Sequence, residues 1–214
     1  MRSNQSHAFS MVPSIKMPRS MFMRPHAYKT TFDAGWLVPF YVDEAVPGDT
    51  FKCKSTVFAR LATPIFPIMD NLFIDTFYFS VPNRLLWQPH DMVIEEELVR
   101  SGSWERFMGE QTDPGDSTDF VVPICVSPAS TGYPIGSLQD YMGLPVGVKD
   151  LQHNNLHLRA YNLIWNKWFR HQDLQDSVEV PTDDGPDDPS DFVLLRRNKR
   201  HDYFTSCFPL LWPW

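Results

Sequence analysis

The sequence predicts a mainly β protein with inserted helices and long loops, and three observations predict it. Nineteen prolines stand against ten glycines in 214 residues. That proline share is well above the usual ~5%, which interrupts helices and suits short strands joined by irregular connections. Apolar residues make up 43% of the chain, enough to bury a substantial core in one domain. The runs of clearest β character are short, rich in β-branched and aromatic residues, and bounded by Pro, Gly or Asp.

Residues 1–32 carry Arg2, Lys16, Arg19, Arg24 and Lys29, contain no Asp or Glu, and show neither a helical nor a strand period. They read as an extended basic arm that orders against a partner surface. Residues 33–214 form the domain proper, with helical insertions expected near 88–110 and 137–171. Trp36–Val42 is a short apolar run broken by Pro39, followed by the turn Pro47-Gly48-Asp49. In Phe51–Leu61 one face collects Phe51, Cys53, Ser55, Val57, Ala59 and Leu61, so the two runs predict a pair of antiparallel strands.

Leu72–Val81 is the strongest strand signal, almost all β-branched or aromatic and ending at Pro82, which predicts a strand in the middle of a sheet. Residues 91–100 and 104–110 predict helices, the first capped by Asp91 with Glu95, Glu96 and Glu97 on a solvated turn. Asp113-Pro114-Gly115-Asp116 makes a turn. Phe120–Val126 returns to strand, and Pro123 inside it assigns an edge position.

The best helix spans 154–171, with Leu156, Ala160, Leu163, Ile164 and Trp168 at helical spacing, Tyr161 and Trp165 to the side, and Asn154 or Asn155 as cap. Residues 171–191 then hold eight acids and no Lys or Arg. The run Asp183-Asp184-Gly185-Pro186-Asp187-Asp188-Pro189 within them predicts a solvated loop that continues neither helix nor central strand. Arg196, Arg197, Lys199 and Arg200 turn the chain basic again. There is no internal repeat and no heptad.

Charge is thus segregated within a net balance of −7, which argues against a generic nucleic-acid binder while leaving local basic contacts open. Cys53, Cys125 and Cys207 are odd in number and far apart, so neither a metal knuckle nor a complete disulfide framework is available, and a reducing cytoplasm is the simplest compartment. No apolar run approaches the ~20 residues of a membrane span, and no apolar stretch follows the first arginine as in a signal peptide. The sixteen Phe, seven Trp and seven Tyr exceed what a lean monomer needs and suit an assembling subunit. Trp36, Trp87, Trp165 and Trp168 are the expected core or subunit-contact residues.

Several ordered runs resemble the major capsid proteins of gokushoviruses, small single-stranded-DNA bacteriophages of the Microviridae. They are Phe32-Asp33-Ala34-Gly35, Val42–Phe51, Pro67–Trp87, Trp104–Gln111, Leu158–Asn166 and Arg196–Ser206, which together reach across most of residues 1–206. The resemblance implies the N-terminal part of an eight-stranded jelly roll, and self-assembly into a T=1 icosahedral shell around circular single-stranded DNA. It also implies other virion and scaffolding proteins as partners, no membrane, no cofactor, and a virion location after assembly in the bacterial cytoplasm. Two stretches depart from the family pattern. Gln88–Ser103 reads as an insertion, and Phe208–Trp214 as an aberrant tail, which implies a chain that ends early and leaves sheet closure to missing strands.

The basic arm is the first candidate for DNA contact, since Lys and Arg neutralise phosphates without reading sequence; contact with a neighbouring subunit is the alternative. Arg196, Arg197, Lys199 and Arg200 form a denser patch whose alternative is pairing with the acidic segment just before it. That acidic loop lacks the DxDxDG spacing of a calcium site. His153 and His157 have i, i+4 spacing but no third ligand, so no metal is expected. Trp165 and Trp168 are expected to pack rather than stack on bases. No nucleophile elbow, phosphate-binding glycine loop or dinucleotide fingerprint occurs, and no catalytic residue is assigned. Three rival readings are a lectin-like β-sandwich binding module, an enzyme on a cupin-like barrel and a nonfunctional truncated capsid reading frame.

Overall fold

The computed structural model describes residues 19–87, 122–172, 174–183 and 185–198. The helices expected at 91–100 and 104–110 lie outside the described residues, as do the 88–103 insertion and the 208–214 tail.

Order is concentrated in residues 122–198. β1 (Ile124–Val126) pairs antiparallel with β2 (Gln152–Asn154), Cys125 opposite His153. Pro123 precedes β1 directly, so its missing N–H removes no ladder bond. Between the strands, Ser127 Oγ donates to Val148 O at 2.8 Å and accepts from Leu151 N at 2.9 Å. Gly132 sits at φ 69°, where an added Cβ would run into the Val148 carbonyl, so only glycine fits that close approach. The single-turn helix α1 (Leu138–Tyr141) starts at Ser137, whose side chain accepts from Asp140 N, while the Asp140 carboxylate accepts from Gly136 N. One first-turn donor and the N–H just before the cap are thereby satisfied.

α2 (Leu156–Ile164) is the core of the helix expected at 154–171. Its start shows a division of labour between two asparagines. Asn154 ends β2 and accepts from Leu156 N at 2.8 Å, whereas the Asn155 amide turns inward to Asp187. Beyond Ile164 the helix widens into a π turn, Trp165–Phe169, closed by Arg170 N donating to Trp165 O at 2.9 Å. Leu138, Leu158 and Phe192 make the buried cluster, with Met142, Tyr161 and Leu194 packed against it. Gln139 and Asn162 satisfy carbonyls at the cluster's edge, Phe192 O for the first and Glu179 O and Asp191 O for the second.

Residues 19–81 differ. The strands expected at Trp36–Val42, Phe51–Leu61 and Leu72–Val81 form no ladder among the described residues; Trp36 alone makes an isolated bridge, to Arg196. Instead of lying mid-sheet, Leu72, Phe73 and Ile74 are exposed, and Phe58 and Ile65 are 91% and 93% exposed. Alternation fixes which side chains share a face, but a strand also needs a neighbour ~4.8 Å away to take its N–H and C=O groups. No described segment supplies that neighbour along 51–81, so the alternation there is not realised as a sheet among the described residues. No helix among the described residues is long and apolar enough to cross a membrane.

Candidate functional site: a buried arginine and the seam beside it

The best-built polar site centres on Arg159, a residue that sequence reasoning passed over. It projects from α2 and is 0% exposed. Nε and Nη2 grip the Asp187 carboxylate as a fork, at 2.7 and 2.6 Å. Nη1 donates to Leu86 O at 3.0 Å and Asp183 O at 2.9 Å, and Nη2 also reaches Asp183 Oδ1 at 3.2 Å. All five guanidinium donors are used, the condition under which a buried arginine is tolerated. Asp187 receives the Asn155 amide as well, its own N–H donates to Ile124 O at 2.9 Å, and it bridges to Cys125. One side chain thereby joins α2, β1, the turn at residue 86 and the acidic loop. This corrects the expectation of a solvated loop: Asp187 is buried and structural, although Asp188 and Asp191 remain exposed.

A seam runs alongside, where residues 194–198 meet 35–37 and 75–79. Leu37 N donates to Leu195 O at 3.0 Å and Arg197 N to Gly35 O at 2.8 Å. The Tyr161 hydroxyl bridges both sides, donating to Leu37 O at 2.9 Å and accepting from Leu195 N at 3.0 Å. Burial pushes this phenol up to about 12. Trp165 is buried and donates from its indole to Arg196 O at 2.8 Å.

The seam redirects the basic patch. The Arg196 guanidinium lies 4.5 Å over the Trp36 ring, and Arg197 pairs with Asp75 at 2.6 Å while covering Phe77. The expected pairing with the acidic segment just before the patch is therefore not made by these two arginines. Asp75 comes from the apolar run and is the one acid there, a signal that could have marked it. Lys199 and Arg200 lie outside the described residues.

In the arm, Arg24 is likewise engaged, to Asp43 at 2.6 Å, with Tyr41 donating to the same carboxylate at 2.6 Å. The Tyr41 bond, then Arg24 and the Glu44 N–H, hold the Asp43 carboxyl below its usual range. Tyr28 donates to Tyr141 O and Tyr141 to Thr31 O, both at 3.0 Å, a reciprocal clasp that fastens the arm to α1. Arg19 and Lys29 are exposed; Arg2 and Lys16 lie outside the described residues.

The four tryptophans separate. Trp165 is 6% exposed, Trp36 and Trp87 are half-buried, and Trp168 is 72% exposed with Phe79 at 5.7 Å. The π turn explains the split, since the extra residue per turn rotates Trp168 away from the stripe that Trp165 continues. His153 and His157 also part company. His153 Nε2 meets Tyr133 Oη at 2.8 Å, and His157 sits 3.7 Å from Glu44. Among the described residues no three His, Cys, Asp or Glu side chains are grouped to hold a metal ion. Cys125 is buried against Tyr133, and that burial pushes its thiol up, away from thiolate chemistry.

The family model described as "Capsid protein (F protein)" matches residues 10–213. The chain is 42% identical over 212 residues to the capsid protein VP1 of Bdellovibrio phage phiMH2K, covering 99% of this chain and 36% of that protein. Identity to VP1 of Chlamydia phage 1 is 43% over 222 residues, and to VP1 of Spiroplasma virus 4 it is 34% over 215. These alignments cover 97% and 95% of this chain, and 36% of each relative. The chain thus spans about a third of the length of these relatives.

Proposed function

The chain belongs to the phage F-type capsid protein family, and from that premise we propose that it is a structural component of an icosahedral T=1 shell enclosing circular single-stranded DNA. Its mechanism is assembly rather than catalysis: apolar faces bury area between subunits or layers, and unpaired cations face the genome. The observation that carries the reading is the match over residues 10–213. The distribution of order supports it. A frame tied by Arg159 stands beside a stretch, 51–79, whose apolar side chains are exposed, and apolar surface on that scale marks interaction faces. In this reading 51–61 and 72–81 are strands of an eight-stranded jelly roll whose remaining strands complete the sheets.

DNA, further copies of the chain and scaffolding proteins are the partners this function requires. Among the described residues of the arm, exposed Arg19 and Lys29 are available for phosphate, whereas Arg24, Arg196 and Arg197 act within the fold. The lectin-like module, the cupin-like enzyme and the nonfunctional reading frame gain no support from the family match. Sedimentation of the purified chain at low and high salt, with and without single-stranded DNA, tests the proposal. Uniform large particles are expected. A sharp folded monomer indifferent to DNA would sink assembly by this chain.

A further inference from the structure

The π turn does more than expose Trp168. It leaves a half-open cavity of about 310 Å³ between α2 and residues 177–180, lined by Leu163, Asn166, Lys167, Arg170, Ser177 and Val178, among others. This lies at the lower end of small-ligand cavities, ~300–1,000 Å³. Asn166 fixes its back wall, donating to Val178 O at 2.6 Å and accepting from Val178 N at 2.9 Å. Arg170 is anchored at the rim by Nη1 donating to Gln175 O at 2.6 Å.

Two observations point to an anion. Lys167 and Arg170 make no ion pair among the described residues, unlike Arg24, Arg159 and Arg197. The Arg170 Nε–H finds no acceptor within the fold, and because it lies beneath the surface a ligand oxygen takes it only when the side chain turns outward. The acidic segment also turns its neutral residues inward: Ser177, Val178 and Val180 line the cavity, and Asp176 and Glu179 do not.

We propose that this cavity is a phosphate site that seats one nucleotide unit of single-stranded DNA. The phosphate meets Lys167 and Arg170, and the sugar and base lie against Leu163, Val178 and Val180. A planar fork with a free N–H suits a phosphate oxygen, and apolar walls suit the rest of a nucleotide better than a hydrated free ion. The inference deepens the capsid reading and rests on it for the source of the nucleotide.

The test is fluorescence anisotropy of a labelled oligothymidylate with the full chain and its Lys167→Gln and Arg170→Lys variants, across a salt series. Lys167 is exposed, so Lys167→Gln keeps the fold, which the urea midpoint verifies. The expected result is binding about tenfold weaker in Lys167→Gln, with the salt slope reduced by about one. Arg170→Lys, which keeps the charge and loses the fork, is expected to weaken binding while leaving the slope unchanged.

Unchanged affinity and slope in Lys167→Gln would overturn the proposal. So would displacement of inorganic phosphate, but not of the oligonucleotide, by these variants, which would make this a free-phosphate site. Preferential competition by a Glu-rich peptide would overturn it in favour of a protein contact. Sedimentation separates the two levels: particles that form normally in Lys167→Gln while DNA affinity is unchanged sink the site and spare the capsid reading. A wild-type chain that never assembles sinks the capsid reading, and the anisotropy series still decides the site.

Discussion

Residues 122–198 and residues 19–81 use their sequence in opposite ways. The first region buries polar groups, Arg159, Asn155, Asn162, Gln139 and Asp187, and satisfies nearly all of their donors. The second exposes apolar groups, among them Phe58, Ile65, Phe66 and Met69. Local order therefore does not follow local hydrophobicity here. It follows whether a segment finds its hydrogen-bonding neighbours within the described chain, which α2 and the acidic loop do and 51–81 does not.

The largest expected effect comes from breaking the ordered region at its centre. Asp187→Ala leaves Arg159 buried with two of its five hydrogen bonds gone, and unfolding in urea should show a loss of about 3–5 kcal/mol. The paired change Arg159→Met with Asp187→Leu should recover much of that loss, because no charge is then left buried alone. If Asp187→Ala alone cost under about 1 kcal/mol, the contrast between the regions would collapse.

Next is the seam that joins them. Tyr161→Phe removes the hydroxyl shared by Leu37 O and Leu195 N, with an expected cost of about 1–3 kcal/mol and faster amide exchange at Leu195. The same phenol gives a pH signature. Its folded-state value is raised from 10 to about 12, so its contribution is complete below pH 10 and is lost as pH rises towards 12. Alkaline titration of the Tyr161→Phe variant should lack this component.

Smaller still is the expected change on polar substitution in the open region. Phe58→Ser and Ile65→Ser should change the unfolding free energy measured in urea by no more than about 0.5 kcal/mol while lowering the sedimentation coefficient of any assembly. A large stability loss would show that these side chains are packed. The smallest effect concerns the arm. Asp43 titrates below its ordinary value of 3.8, so the Arg24 tether is complete above that pH and loosens as pH falls through the lowered value. Limited proteolysis within 19–43 should quicken only in that acid window.

The helix at 154–171 was legible because seven apolar residues keep its period, and the loop after it because Gly185-Pro186 and Pro189 forbid continuation. Strand character at 51–61 and 72–81 was also legible, but its partners were not, since alternation carries no information about which segment lies alongside. Arg159 was invisible for another reason. It stands between Leu158 and Ala160 with no local acid, and its partners Asp183 and Asp187 lie among eight similar candidates far along the chain. The π turn leaves no compositional mark, so the exposure of Trp168 and the cavity beside Lys167 could not be read in advance. The runs that resemble gokushovirus capsids proved the most informative part of the sequence, because six ordered matches constrain more than any single pattern.

The Arg159 guanidinium holds Leu86 O, and its partner Asp187 holds Ile124 O. Both ends of the stretch between those residues are thus moored within one side chain's reach. Whatever length of chain is inserted there, closing it costs only about 0.6 kcal/mol more for each doubling. A change of length in that stretch then leaves the hydrogen bonds that hold the frame untouched.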